Sequence, residues 1–196
     1  MPLTFNGLTI LPMPTVPAVP RTIEWQATDV TGVATNPFTL QQQVYLWGAS
    51  LLEASLGYQP LTNAQAVAWI AWLMSLQGTA GAFFFGDPLN RTPQNPAASA
   101  PFVAGAGQTG YLLNVSGGSG QTVGDWIQIG FRLYRLTSVT VNQLGIWPQL
   151  RESPTDRTPI IINNTQGLFR LKSNQRKWSV RETKMYGLSF EIREAI

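Results

Sequence analysis

Thr62-Asn63-Ala64-Gln65-Ala66-Val67-Ala68-Trp69-Ile70-Ala71-Trp72-Leu73-Met74-Ser75-Leu76-Gln77-Gly78 is the stretch that decides the fold, because only here does the chain read as a strong helix. Thr62 is a good N-cap, and Gln65 three residues later completes a capping box. Gly78 supplies a C-terminal stop, so the expected helix runs over 63–77. Val67, Ile70, Ala71 and Met74 form one apolar stripe, while Ala66, Trp69, Leu73 and Leu76 form another. Trp72 widens the surface, and nothing from 63 to 77 is charged. A helix that is apolar nearly all round must be covered on more than one side. Either it sinks into its own sheet, or one side packs on that sheet and the other on a neighbouring subunit. The apolar run from Ala64 to Leu76 is too short to cross a bilayer.

Everything around this helix reads as β-structure. Upstream, Thr22-Ile23-Glu24-Trp25-Gln26-Ala27 alternates with a period near two, and Gln43-Val44-Tyr45-Leu46-Trp47 is strand-like within 40–58. Asn36-Pro37 marks a turn between them. Before residue 21, prolines at 2, 12, 14, 17 and 20 break any helix. Residues 1–20 therefore read as an extended arm that can pair only at a sheet edge, and as neither a signal peptide nor a membrane span. Downstream, Gly81-Ala82-Phe83-Phe84-Phe85-Gly86-Asp87-Pro88 is a buried strand closed by a turn. Asn90 to Gly110, rich in Pro, Ala, Gly, Ser and Asn, is the best domain boundary. Beyond it short strands recur at Tyr111–Val115, Trp126–Ile129, Leu133–Val139, Leu144–Leu150 and Pro159–Ile162, a rhythm that predicts a small closed β-barrel. Leu168–Lys172, Trp178–Glu182 and Tyr186–Arg193 follow as the last strands.

Composition narrows function sharply. The chain has 196 residues, of which 44% are hydrophobic but only 12% charged, where roughly 25% charged is typical. Charge keeps monomers soluble and apart. A chain so poor in it, with seven Trp and nine Phe, is expected to hide surface against partners; a surface of Gln, Asn, Ser and Thr is the plainer alternative. Cysteine and histidine are both absent. That excludes thiol nucleophiles, Ser-His-Asp arrangements and His- or Cys-based metal sites. Asp87 and Asp125 are the most suggestive carboxylates, yet both sit in ordinary turn contexts. Gly117-Gly118-Ser119-Gly120 lacks the spacing of a phosphate cradle and reads as a hairpin loop. No catalytic residue, cofactor or metal is expected. Residues 1–130 hold two basic and five acidic residues, and 131–196 hold eleven basic and five acidic. In Arg132-Leu133-Tyr134-Arg135-Leu136 the basic residues alternate with apolar ones, which reads as a strand's solvated face rather than a DNA-reading surface. Trp126, Trp147 and Trp178 are the tryptophans expected to be exposed, where a sugar could stack.

Several phrases together resemble a known family. They are Asn36-Pro37-Phe38-Thr39 with Gln41-Gln42-Gln43-Val44-Tyr45, the helix, and Gly81 to Pro88. In the second half they are Gly124-Asp125-Trp126-Ile127-Gln128-Ile129-Gly130, Leu133-Tyr134-Arg135-Leu136, Ile146-Trp147-Pro148-Gln149-Leu150-Arg151, Gly167-Leu168-Phe169-Arg170-Leu171 and Tyr186-Gly187-Leu188-Ser189-Phe190-Glu191. From about residue 22 onward the chain resembles the distal tail proteins of long-tailed bacteriophages. The resemblance implies an all-β fold with one helix: a β-sandwich or split-barrel belt domain over 21–95 with 166–196, plus an inserted small β-barrel, OB-like or galectin-like, over 96–165. It implies a ring of six copies around a channel that passes DNA, joining the tail tube to the hub or baseplate. The implied partners are copies of itself, the tail-tube protein, the tail hub protein and the tape-measure protein, in a virion tail tip assembled in the host cytoplasm without membrane insertion. Candidates for subunit contacts are Pro12, Pro14 and Pro17 of the arm and Trp69, Trp72 and Leu76 of the helix. A carbohydrate-binding or adhesin-type β-module is the competing expectation, with a nucleic-acid-binding barrel behind it.

Overall fold

Alternation of β-branched and aromatic residues with polar ones drives this chain into strands, and the computed structural model, which describes residues 3–5, 7–181 and 184–196, is β almost throughout. The strands are β1 (Leu3–Phe5), β2 (Leu8–Ile10), β3 (Thr22–Thr35), β4 (Gln42–Leu61), β5 (Gly81–Phe85), β6 (Phe102–Val103) and β7 (Leu112–Ser116). They continue with β8 (Trp126–Ile129), β9 (Arg132–Val139), β10 (Gln143–Trp147), β11 (Ile160–Ile161), β12 (Gly167–Leu171), β13 (Trp178–Val180) and β14 (Tyr186–Glu194). The α-helix, α1, spans Asn63–Ser75. No helix among the described residues is long and apolar enough to cross a membrane.

The strands form two sheets. The larger, mixed sheet has eight strands in the order β1-β2-β5-β12-β14-β4-β3, with β13 also on β14. The second has six, ordered β11-β8-β9-β10-β7-β6, and all its pairs are antiparallel. It nearly closes on itself. Phe102 bridges Pro159, and the N–H of Val103 donates to Thr158 O at 3.0 Å while the N–H of Ile160 donates to Pro101 O at 3.1 Å. A barrel closed this way leaves few unpaired strand edges. Its core is Val103, Leu113, Ile127, Tyr134, Leu136, Leu144, Ile146 and Ile160. The barrel lies in sequence between β5 and β12, which are hydrogen-bonded neighbours in the large sheet, so it is an insertion.

The helix is covered mainly by the large sheet. Ala66, Trp69, Trp72, Leu73 and Leu76 are buried with Tyr58, Phe83, Phe169 and Ile192. Trp69 lies 4.2 Å from the Tyr58 ring and 5.4 Å from Trp72, and Trp72 lies 4.9 Å from Phe83. Thr62 N–H donates to Gln65 Oε1 at 3.0 Å, as a capping box requires. The helix ends two residues before the expected Gln77. Gln77 itself takes the left-handed conformation, with Gly78 following at positive φ, and this pair reverses the chain into β5.

Two other expectations need correction. The first ten residues are not simply an arm: β1 pairs with β2, and β2 adds to β5 in parallel, so the extended segment begins at Leu11. Pro2 lies outside the described residues. The strand expected over Trp178–Glu182 ends at Val180, and Glu182 too lies outside the described residues.

Burial governs two phenols. It pushes the Tyr58 hydroxyl up from the ordinary 10.0, with Arg91 pulling weakly the other way. Burial also raises Tyr134, against the hydrogen bond donated by the Arg151 N–H. A raised acid keeps its proton in the folded state while the unfolded chain releases it. Stability is therefore full below the ordinary value of 10.0 and falls as pH climbs past it. Ultraviolet titration should find these two phenols silent until the chain unfolds. Phenolate absorbance from all five tyrosines rising together in a folded chain would contradict this.

Candidate functional site

The feature that stands out is the hairpin of β3 and β4. Its lower half, from Thr22↔Gly57 to Asp29↔Ser50, belongs to the sheet. After an irregularity between Asp29 and Thr31, pairing resumes at Thr31↔Leu46 and runs to Thr35↔Gln42. Gly48 sits in that irregularity with φ +69, a backbone conformation that favours glycine; a Cβ there would lie 3.2 Å from the Gln149 side-chain oxygen, which would have to shift slightly. At the tip Asn36 organises the turn. Its Oδ1 accepts from the N–H of Phe38 at 2.9 Å and of Thr39 at 3.3 Å, and its carbonyl accepts from Leu40 at 2.9 Å.

The outer half is a two-stranded ribbon with apolar residues on both faces. One face carries Val33 opposite Val44 and Thr31 opposite Leu46; the other carries Tyr45 opposite Gly32, with Trp47 also against Gly32, and Gln43 opposite Ala34. Leu46 is 82% exposed, Trp47 70%, Phe38 94% and Leu40 75%. No charged residue occurs from Val30 to Leu52. A lone two-stranded hairpin is marginal in water, and a protruding apolar patch marks an interaction surface.

The ribbon leaves from a fixed root. Trp147 Nε1 donates to Asp29 Oδ1 at 2.8 Å. Arg151 Nη2 donates to the Ser50 carbonyl at 2.7 Å and pairs with Glu194 at 2.6 Å, both side chains being buried. A second buried arginine, Arg132, pairs with Glu152 at 2.9 Å, donates to the Ala195 carbonyl, and lies over the Phe5 ring. Arg132 and Arg151 are therefore pins between barrel and large sheet rather than parts of a solvated face. Only Arg135 of the quoted strand is exposed, over the Trp126 ring.

The sequence-derived contact candidates lie elsewhere. Trp69, Trp72 and Leu76 are core residues of the chain itself, because sheet and helix already enclose them; the outer side of α1 offers Val67 and Met74 instead. Pro12 is exposed and Pro14 and Pro17 are half-buried. The structure does bring arm and helix together, for Trp69 Nε1 donates to the Val16 carbonyl at 3.1 Å. Trp126 is buried, not exposed; Trp147 is half-buried at the hairpin root and Trp178 is exposed. The exposed tip residues Phe38 and Leu40, with Leu46 and Trp47, were not among the candidates. A strand pair that is apolar on both faces and uncharged throughout was the signal for them.

Asp87 and Asp125 do turn work. Asp87 accepts from Leu89 N–H at 3.1 Å and Asn90 Nδ2 at 2.8 Å. Asp125 accepts from Gln94 N–H at 3.0 Å and Thr122 N–H at 2.9 Å. Among the described residues no group of three acidic side chains is placed to hold a metal ion.

A cavity of about 660 Å³ opens between the extended arm and β5. Leu11, Met13, Phe84 and Phe85 supply its apolar wall, and Arg91 reaches it. The Arg91 Nε is buried without an acceptor among the described residues.

Compared with models of known families and with curated proteins, the chain has no match.

Proposed function

We propose that this chain is a non-catalytic structural subunit that assembles with copies of itself into a closed ring, and that the ring belongs to the tail tip of a long-tailed bacteriophage. The observation that carries the assembly reading is the outer β3–β4 ribbon, apolar on both faces and covered on neither. Burying apolar area stabilises by about 25 cal/mol per Å², and a neighbour on each face supplies that burial to a ribbon that has no sheet of its own to lie on. Low overall charge and the absence of Cys and His support a structural role. The phage assignment rests on the motif resemblance to distal tail proteins. On that reading six copies join the tail tube to the hub, with DNA only passing through the channel and the tape-measure protein as a further neighbour.

The test is co-assembly. Purified chain mixed with the tail-tube protein, or with the tail hub protein, of the same phage should co-sediment as a ring-shaped particle in electron micrographs. Failure to bind either would remove the tail-tip assignment and leave self-assembly standing alone.

One observation favours a second reading, a carbohydrate-binding module. Tyr45 and Trp47 are exposed on one face of one strand, a platform on which a sugar ring could stack. Quenching of tryptophan fluorescence by a glycan, lost in W47A, would favour that reading.

A further inference from the structure

A head-to-tail ring needs two different surfaces per subunit, one entering the other. The structure assigns both: we propose that Phe38 and Leu40 at the hairpin tip of one copy seat in the cavity beside β2 and β5 of the next. This rests on the ring reading.

The knob is the tip. Phe38 is 94% exposed and touches nothing that would cover it in its own copy. Leu40 has φ +56, a conformation Asn or Gly adopts at less cost than leucine. A strained, exposed leucine beside an exposed phenylalanine points to use. The hole is the cavity walled by Leu11, Met13, Phe84 and Phe85. Its volume of about 660 Å³ lies inside the roughly 300–1,000 Å³ range of ligand clefts.

Polar complementarity agrees. No residue lining the cavity is acidic, and the buried Nε of Arg91 has no acceptor among the described residues. The tip carries no charge, and the carbonyls of Pro37, Phe38 and Thr39 accept no hydrogen bond within the turn. Those carbonyls are the acceptors that the cationic, partly exposed Arg91 at the cavity wall would meet. Topology agrees too. β3 and β4 end the large sheet at one edge, while β1, β2 and β5 end it at the other. Knob and hole thus belong to opposite ends of the strand order, as repeated head-to-tail contact requires.

The chain has no cysteine, so an introduced pair reports cleanly. Copies carrying only Thr39→Cys are mixed with copies carrying only Thr15→Cys, at the tip and the cavity mouth, and oxidised mildly. The mixture should give a covalent dimer, and each variant alone should give none. A dimer from T39C alone would mean tip-to-tip contact and overturn the proposal. In parallel, F38S/L40S should keep the thermal midpoint that the parent shows at concentrations too low for assembly, because both side chains are exposed, yet weaken assembly by on the order of thirtyfold or more. Parent chain that assembles while the mixture gives no dimer and F38S/L40S assembles equally well would overturn this pairing alone. A parent chain that stays monomeric at every concentration would sink the ring reading, and this inference with it.

Discussion

Replacing Arg151 by alanine is expected to destabilise the fold by about 3–5 kcal/mol, the cost of leaving a buried charge without its partner. Arg151 Nη2 and Nε reach both oxygens of Glu194, at 2.6 and 3.2 Å, and the two side chains are only 8% and 5% exposed. Nη2 also holds the Ser50 carbonyl at 2.7 Å. Loss of the guanidinium strands the Glu194 carboxylate in a place water does not reach. In a chain of this size each kcal/mol moves the thermal midpoint by roughly 2–4 °C, so calorimetry should register a drop on the order of 10 °C. R151M/E194L removes both charges and should recover most of that loss, since an apolar replacement of a buried pair is often neutral. It should not recover assembly, because the Ser50 tether at the hairpin root is still gone. If R151A melted with the parent, the barrel would not be pinned to the sheet as described.

Trp69→Ala is expected to cost a similar 3–5 kcal/mol, the range for truncating a buried aromatic. Trp69 is wholly buried between Tyr58 and Trp72. It also ties the arm down, through the 3.1 Å hydrogen bond from Nε1 to the Val16 carbonyl. Trp69→Phe separates the two roles: most packing stays, and the arm loses one hydrogen bond of about 1 kcal/mol. Denaturant titration should show a large loss for W69A and a small one for W69F. Limited proteolysis should cut between Leu11 and Pro20 faster in both. An uncut arm in W69F would mean that the bond to Val16 does not hold it.

Much of the fold was legible because local signals and burial agreed. The capping pair Thr62 and Gln65, the uncharged run after it, and the short strands spaced by turns each translated directly into α1 and the barrel. The paired helical stripes did not say which partner covers them; the sheet through Tyr58 and Phe83 takes the face that Trp69 and Trp72 form. Three things were hidden for physical reasons. The length of the hairpin was obscured because Gly48 weakens the strand pattern where the ribbon leaves the sheet, and Gly32 and Ala34 weaken it within the ribbon. Gln77 in a left-handed conformation could not be read from a residue type that rarely adopts it. The roles of Arg132 and Arg151 depended on Glu152 and Glu194, which only the fold brings near them. That Trp69, Trp72 and Leu76 lie in the chain's own core was hidden for a related reason. Sequence marks Trp69, Trp72 and Leu76 as apolar, and so equally fit for core or interface, whereas Phe38 and Leu40 announce themselves only once the turn is known to stand clear of the body.

On the function proposed above, this chain completes itself by covering the β3–β4 ribbon with copies of itself. Light scattering of the purified chain over a range of concentrations tests it most directly. The expected result is a discrete assembly of fixed stoichiometry, six times the 21.5 kDa chain mass, that dissociates when the tip is altered. A mass of 21.5 kDa at every concentration would contradict it.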